Sequence, residues 1–144
     1  MIVIADTSGL LASIDEDEPD HDACRTSIAQ ASQLVISPMV LADLDYLIAK
    51  HLGDRMAMAI SAHIVEKAGA GLYEIAHTPS EVIAAAHAVR VKYRAMPIGL
   101  TDAINVVLAA RYSTDALLTL DRKHFRTLAP LAGPSCFRLL PDDL

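Results

Sequence analysis

The sequence predicts an α/β fold in which a parallel sheet is covered by helices on both faces. Three observations carry this expectation. Five short apolar runs, at residues 2–5, 34–37, 72–76, 116–120 and 137–140, alternate with longer segments of helical spacing. The runs are too uniformly apolar to have a wet face, as expected of strands buried on both sides. Finally, 144 residues, 53% of them apolar and without a long polar tract, have the length and composition of one domain over residues 1–144. There is no internal repeat.

Taken in order, Ile2 to Ala5 read as the first strand, and Thr7-Ser8-Gly9 as a strand-to-helix turn leading into Leu10-Leu11-Ala12-Ser13-Ile14. The run from Asp15 to Asp22 interrupts that helix. It holds six acids but lacks the alternating ligands and central glycine of a calcium loop, so it reads as a solvated loop and helix cap. A helix from about Ala23 to Ala31 precedes the second strand. Ser37-Pro38 then starts a helix to about Leu52, with serine as the cap and proline at the first helical position, where its missing N–H costs nothing. The next helix spans roughly Arg55 to Ala68 and is ended by Gly69 and Gly71, ahead of the third strand at Leu72 to Ala76. Thr78-Pro79 repeats the cap-and-proline start for a helix to about Tyr93, and Met96-Pro97-Ile98-Gly99 forms a connection. A helix from Thr101 to Tyr112, the strand Ala116 to Leu120, a short polar segment around Arg122 to Leu128 and a strand near Phe137 to Leu140 complete the order.

Composition narrows the function. A formal charge of −6 argues against a protein that coats nucleic acid through bulk electrostatics. The average hides an asymmetry: residues 1–22 carry seven acids and no Lys or Arg, whereas Arg90, Lys92, Arg94, Arg111, Arg122, Lys123 and Arg126 gather later. No apolar run is long enough to span a bilayer and no secretory signal stands at the N-terminus, so a cytoplasmic protein without membrane contact is expected. Cys24 and Cys136 lack paired spacing and read as reduced core residues.

Four carboxylates stand where burial makes charge expensive. Asp6 ends Ile2-Val3-Ile4-Ala5, Asp121 ends Ala116-Leu117-Leu118-Thr119-Leu120, Asp102 opens the apolar stretch 103–110, and Asp43 lies within Met39-Val40-Leu41-Ala42-Asp43-Leu44. An ionised carboxylate beside a core must be paired, hydrogen bonded or bound to metal. In parallel sheets, ligand sites form at the carboxyl ends of strands where strand order reverses, and Asp6 and Asp121 are expected at such ends. Asp102 has Asn105, Val106 and Ala109 as helical neighbours on an almost wholly apolar helix. It therefore either faces inward or serves the first turn, and with Asp6 and Asp121 nearby a shared divalent cation is favoured. Asp43 and Asp45 flank the apolar face of their helix at similar angles, and periodicity does not choose between them.

The pieces Ile4-Ala5-Asp6-Thr7-Ser8, Ser37-Pro38-Met39-Val40-Leu41-Ala42-Asp43-Leu44, Leu100-Thr101-Asp102-Ala103 and Leu118-Thr119-Leu120-Asp121 occur in an order and at separations that resemble the PIN-domain family. Within that family, the chain looks like the VapC-type ribonuclease toxins of type II toxin–antitoxin systems. The resemblance implies a three-layer α/β/α fold with a central parallel sheet of about five strands, metal-dependent hydrolysis of RNA, a small antitoxin partner and a homodimer. It implies catalytic carboxylates at Asp6, Asp43, Asp102 and Asp121, with Asp6, Asp102 and Asp121 as metal ligands, and it selects Asp43 over Asp45. The family usually has Glu where this chain has Asp43, so that side chain is one methylene short. Thr7, Ser8 and Thr119 are hydroxyls suited to orienting carboxylates or water, or to capping turns.

Oxygen ligands suit Mg²⁺ or Mn²⁺, and no cysteine or spaced histidine pair points to zinc. The expected reaction is phosphodiester hydrolysis by water activated at the cation, with no protein nucleophile. Of the six histidines, His124 alone stands close to a carboxylate of interest, three residues after Asp121, within reach of substrate. Arg90, Lys92, Tyr93 and Arg94 fit either a single-stranded RNA groove or ordinary cations at a helix C-terminus. Two other classes compete. An aspartyl phosphatase would use Asp6 as nucleophile, but Ser8 replaces the second aspartate that such enzymes carry two residues on. A binding module that has lost catalysis is the third.

Overall fold

The computed structural model describes residues 1–144 and has five parallel strands and seven helices. In chain order these are β1 (Ile2–Ala5), α1 (Thr7–Ile14), α2 (His21–Gln30), β2 (Gln33–Ile36), α3 (Pro38–Leu52), α4 (Asp54–Gly69), β3 (Tyr73–Ile75), α5 (Ser80–Lys92), α6 (Leu100–Arg111), β4 (Ala116–Leu118), α7 (Arg122–Phe125) and β5 (Arg138–Leu140). The sheet order is β3-β2-β1-β4-β5, with every neighbouring pair parallel.

Alternation along the strands divides the core into two. Ile4, Val35, Leu117 and Leu139 pack with α5 and α6 on one face, together with Phe125, Leu128 and Phe137. Val3, Ala5, Leu34, Ile36, Leu118 and Leu140 pack with α1 to α4 on the other. Strands β1, β2 and β4 are buried almost throughout, which accounts for their uniformly apolar sequences, whereas the edge strand β3 carries Glu74 and an exposed Ile75. The chain steps outward from β1 through β2 to β3, then returns across the sheet through α5 and α6 to lay β4 on the free side of β1. The reversal of strand order therefore falls between β1 and β4, where a ligand crevice opens at the carboxyl ends.

Several elements differ from the sequence reading. Thr7-Ser8-Gly9 is the first turn of α1 itself. Gly9 is required by contact and not by turning, because a Cβ there would lie 2.5 Å from the Leu118 carbonyl oxygen. This close approach seats the start of α1 against the end of β4. Strand β4 stops at Leu118, so Asp121 lies three residues beyond the strand, as the N-cap of α7. Ser37 does cap α3, accepting from the Val40 N–H at 3.2 Å. Thr78 does not cap α5: its hydroxyl donates back to the Ala76 carbonyl, and the helix begins after Pro79. Cys24 is buried, but Cys136 is exposed, outside the core where it was expected. No helix is long and apolar enough to cross a membrane.

Candidate metal centre at the β1–β4 crevice

Asp6 follows β1 directly and occupies the N-cap position of α1, yet its carboxylate caps nothing. It turns instead toward β4 and α6. Its Oδ2 accepts from the Thr119 hydroxyl at 2.8 Å and the Ser8 hydroxyl at 3.0 Å, while its Oδ1 accepts from the Asn105 side-chain amide at 3.3 Å. Each hydroxyl has one proton to give. With both protons directed at Asp6, the two oxygens accept from backbone: Ser8 from the Leu120 N–H at 2.9 Å and Thr119 from the Asp121 N–H at 3.0 Å. The carboxylate after β1 and the turn after β4 are thereby fixed to each other.

Asp121 is held from the other side by His124. The His124 backbone N–H donates to Asp121 Oδ1 at 3.1 Å, and the ring Nδ1 lies 2.7 Å from Oδ2. Asp102 sits in the first turn of α6, a helix whose residues Ala103 to Ala109 are all buried. Asp43, on α3, is exposed and accepts from the Thr101 hydroxyl at 3.2 Å, which ties it to the start of α6. Asp45 points elsewhere, to within 3.5 Å of Ser61 on α4. Asp6, Asp43, Asp102 and Asp121 line one cleft of about 570 Å³, together with Thr7, Ser8, Tyr46 and Gly99. No Lys or Arg lines it.

Asp6 is only 6% exposed, and burial pushes its pKa upward against the opposing pull of the Thr119 and Ser8 hydrogen bonds. Asp102 is raised to about 6, first by burial and then by the charges of Asp6 and Asp121, with His124 acting in the opposite sense. None of Asp6, Asp43 and Asp102 has an ion-pair partner, and Asp121 has only His124. Two buried polar atoms beside the cluster are also unpartnered, Asn105 Oδ1 and Thr7 Oγ1. Uncompensated carboxylates, oxygen donors and orphaned acceptors together fit a hydrated divalent cation. The chemistry open to such a cleft is electrostatic assistance to a phosphoryl group; in-line attack by Asp6 itself is disfavoured, since hydrogen bonds from Thr119, Ser8 and Asn105 fix its carboxylate in place.

Asn105 is the residue that sequence reasoning passed over. It is 1% exposed and the one polar side chain in an otherwise apolar helical run, which was the available signal. Arg90, Lys92 and Arg94 do not line the cleft. Arg90 donates from Nε to the Ile98 carbonyl at 3.0 Å, bracing the connection that leads to Gly99, and the Lys92 ammonium stands 5.4 Å from the centre of the Tyr93 ring. A second cavity, about 490 Å³, opens on the far side of α1 among α1, α2 and α4 and is mostly apolar, with Arg25 and Lys67 among its lining.

Comparison with known proteins agrees with this arrangement. The family model described as the PIN domain matches residues 3–129. The chain is 46% identical to Ribonuclease VapC26 of Mycobacterium tuberculosis over 132 residues, 91% of this chain and 95% of that protein. Among solved structures, it is similar to Mycobacterium tuberculosis VapC20, described as a sarcin–ricin loop-cleaving toxin, with a TM-score of 0.73 and 18% identity over 83% of this chain and 89% of the other. It is also similar to a toxin–antitoxin complex from Klebsiella pneumoniae, with a TM-score of 0.65 and 19% identity over 92% of this chain and 97% of that one. At these identities the solved structures speak for the fold. With the family match and the VapC26 relationship beside the crevice just described, the chain belongs to the PIN-domain family, in its VapC group.

Proposed function

We propose that this protein is a Mg²⁺- or Mn²⁺-dependent endoribonuclease, the toxin of a VapBC-type toxin–antitoxin pair, acting as a single PIN-like domain over residues 1–144. The observation that carries the reading is the set of uncompensated carboxylates gathered at the β1–β4 crevice of a chain 46% identical to a ribonuclease. Asp6, Asp102 and Asp121 would hold the cation, and Asp43, tied to Thr101, faces them as a fourth acid on the substrate side. When bound, the divalent ion supplies a Lewis acid for phosphate and a lowered pKa for water.

The chain's own residues do the positioning. Thr119 and Ser8 donate to Asp6 and oppose the upward push of burial on its pKa, and Thr119 also orders the backbone of Asp121. Asn105 holds the second oxygen of Asp6, and Gly99 leaves the rim without a side chain. The flanking RNA phosphates are assigned to exposed Lys92 and Arg94, with Arg90 bracing the loop at Ile98 and His124 available beside Asp121. For the antitoxin, the apolar cavity among α1, α2 and α4 offers a seat, with Arg25 and Lys67 suited to an acidic flank. A homodimer is the assembly to look for by light scattering.

The test is RNA cleavage with and without Mg²⁺ or Mn²⁺. Cleavage is expected only with the ion, and Asp6→Ala and Asp102→Ala are expected to abolish it. Full cleavage by both variants, or cleavage undiminished by chelator, defeats the proposal.

A further inference from the structure

The ligand set expected from the family is all oxygen, yet residue 124 brings a nitrogen to the same place. Asp121 caps α7, and that cap turns the helix back so that the side chain three residues on lies over the capping carboxylate. As a result, Asp102, Asp121 and His124 each present one ligand atom, all within 4.8 Å of one another. Ligands on a six-coordinate ion with bonds of about 2.1 Å are about 3 Å apart when adjacent and about 4.2 Å apart when opposite. The 2.7 Å between His124 Nδ1 and Asp121 Oδ2 is close to the first spacing. Asp6 adds a third carboxylate at the same cleft, its oxygens oriented by Thr119, Ser8 and Asn105.

We infer that His124 is a nitrogen ligand of the cation held by Asp102 and Asp121, so that the centre is a mixed nitrogen–oxygen site favouring a first-row transition ion over Mg²⁺. This rests on the metal-dependent reading above. The hydrogen bond between Nδ1 and Oδ2 has its proton on Nδ1; an ion between the two atoms would take its place once the neutral ring shifts that proton to Nε2, which frees the Nδ1 lone pair to coordinate beside Oδ2. No net proton is taken up or released by such a ring. Imidazole adds little for Mg²⁺, a hard ion that keeps oxygen and water, and more for ions along the transition series. The side chains of His124 and Asp121 are 27% and 29% exposed, which leaves an ion a path of entry and open positions for water and phosphate.

The experiment uses Mn²⁺ alone, without RNA. Pulsed electron paramagnetic resonance of the Mn²⁺-loaded wild-type protein should show coupling to a directly bound ¹⁴N, and His124→Gln should lose it. By calorimetry, the same substitution should lower Mn²⁺ affinity by about tenfold and leave Mg²⁺ affinity nearly unchanged. The wild-type spectrum needs no variant, so a poorly folding His124→Gln does not blunt the test. Mn²⁺ bound without ¹⁴N coupling overturns this inference and leaves the ribonuclease reading standing. Absence of any Mn²⁺ binding overturns both.

Discussion

Two groups of acidic residues meet the α7 segment, one through its capping residue Asp121 and the other through Arg122 and Arg126, and the chain treats them in opposite ways. On the outer side, Asp142 takes two hydrogen bonds from Arg122, at 2.6 and 2.8 Å, and Asp143 takes two from Arg126, at 2.6 and 2.9 Å. Asp20 adds a longer contact to Arg122. The Arg126 hydrogen bonds hold Asp143 at about 2, and those from Arg122 lower Asp142 as well. On the inner side, Asp6 and Asp102 have no cation and are displaced upward, Asp102 to about 6. An acid cluster that serves only structure is neutralised by the protein itself. One left unneutralised at the reversal point of a sheet is shaped for something supplied from outside.

The largest expected effect comes from neutralising the inner cluster by substitution. Asp6→Asn should cut RNA cleavage by roughly 10²–10³-fold, the scale of losing one preorganised electrostatic contact, while the metal-free protein melts at a higher temperature. Each kcal/mol of desolvation cost relieved is worth roughly 2–4 °C at this chain length. A variant that loses activity and also loses stability would show the inner carboxylates to be structural, and the contrast between the two clusters would fail.

A smaller effect is expected from pH, and it has opposite signs in the two regions. Asp102 rises from 3.8 to about 6 on folding, so between those values the folded chain keeps a proton that the unfolded chain releases. Metal-free stability should therefore fall as pH rises through about 4 to 6, and added Mg²⁺ or Mn²⁺ should restore it more at pH 7.5 than at pH 5. Asp143 is shifted down, to about 2, so its contribution is present above about 4 and lost as pH falls toward 2. Urea midpoints across this range, with and without the ion, separate the two limbs. A metal-free midpoint that climbs between pH 4 and 6 would contradict the inner assignment.

The smallest effect is expected at the outer cluster. Arg126→Ala breaks a surface pair and should cost within about 1 kcal/mol, less in high salt, with RNA cleavage unchanged. A large loss of cleavage in that variant would mean that the two clusters act as one unit through α7.

The sheet and most of its helices were legible because a buried strand and an amphipathic helix leave different periods in a sequence. Asp6, Asp102 and Asp121 were legible for a related reason: each interrupts or bounds an apolar run, where charge is costly. The choice between Asp43 and Asp45 was not legible from periodicity. It depends on what covers each flank of α3, and that is the start of α6 on one side and α4 on the other. Gly9 read as a turn because contact with Leu118, 109 positions away, leaves no local trace. In the sequence His124 reads only as a substrate contact, since metal-ligand spacing is sought between paired histidines; the structure sets its ring against the carboxylate that caps its own helix. The basic residues near Arg94 could not be separated from helix-end cations by composition, and the structure leaves them outside the cleft.

The pairing of β1 with β4 has a consequence for synthesis. The cleft needs Asp6 from the first strand and Asp121 from beyond the fourth, and β4 is itself flanked by β5, which ends at Leu140. A growing chain thus carries Asp6 from its first strand but has nowhere to assemble the rest until β4, Asp121 and the flanking β5 have left the ribosome. For a protein proposed to destroy RNA, the order of the strands delays the hazard until the codons for β4 and Asp121 have been read.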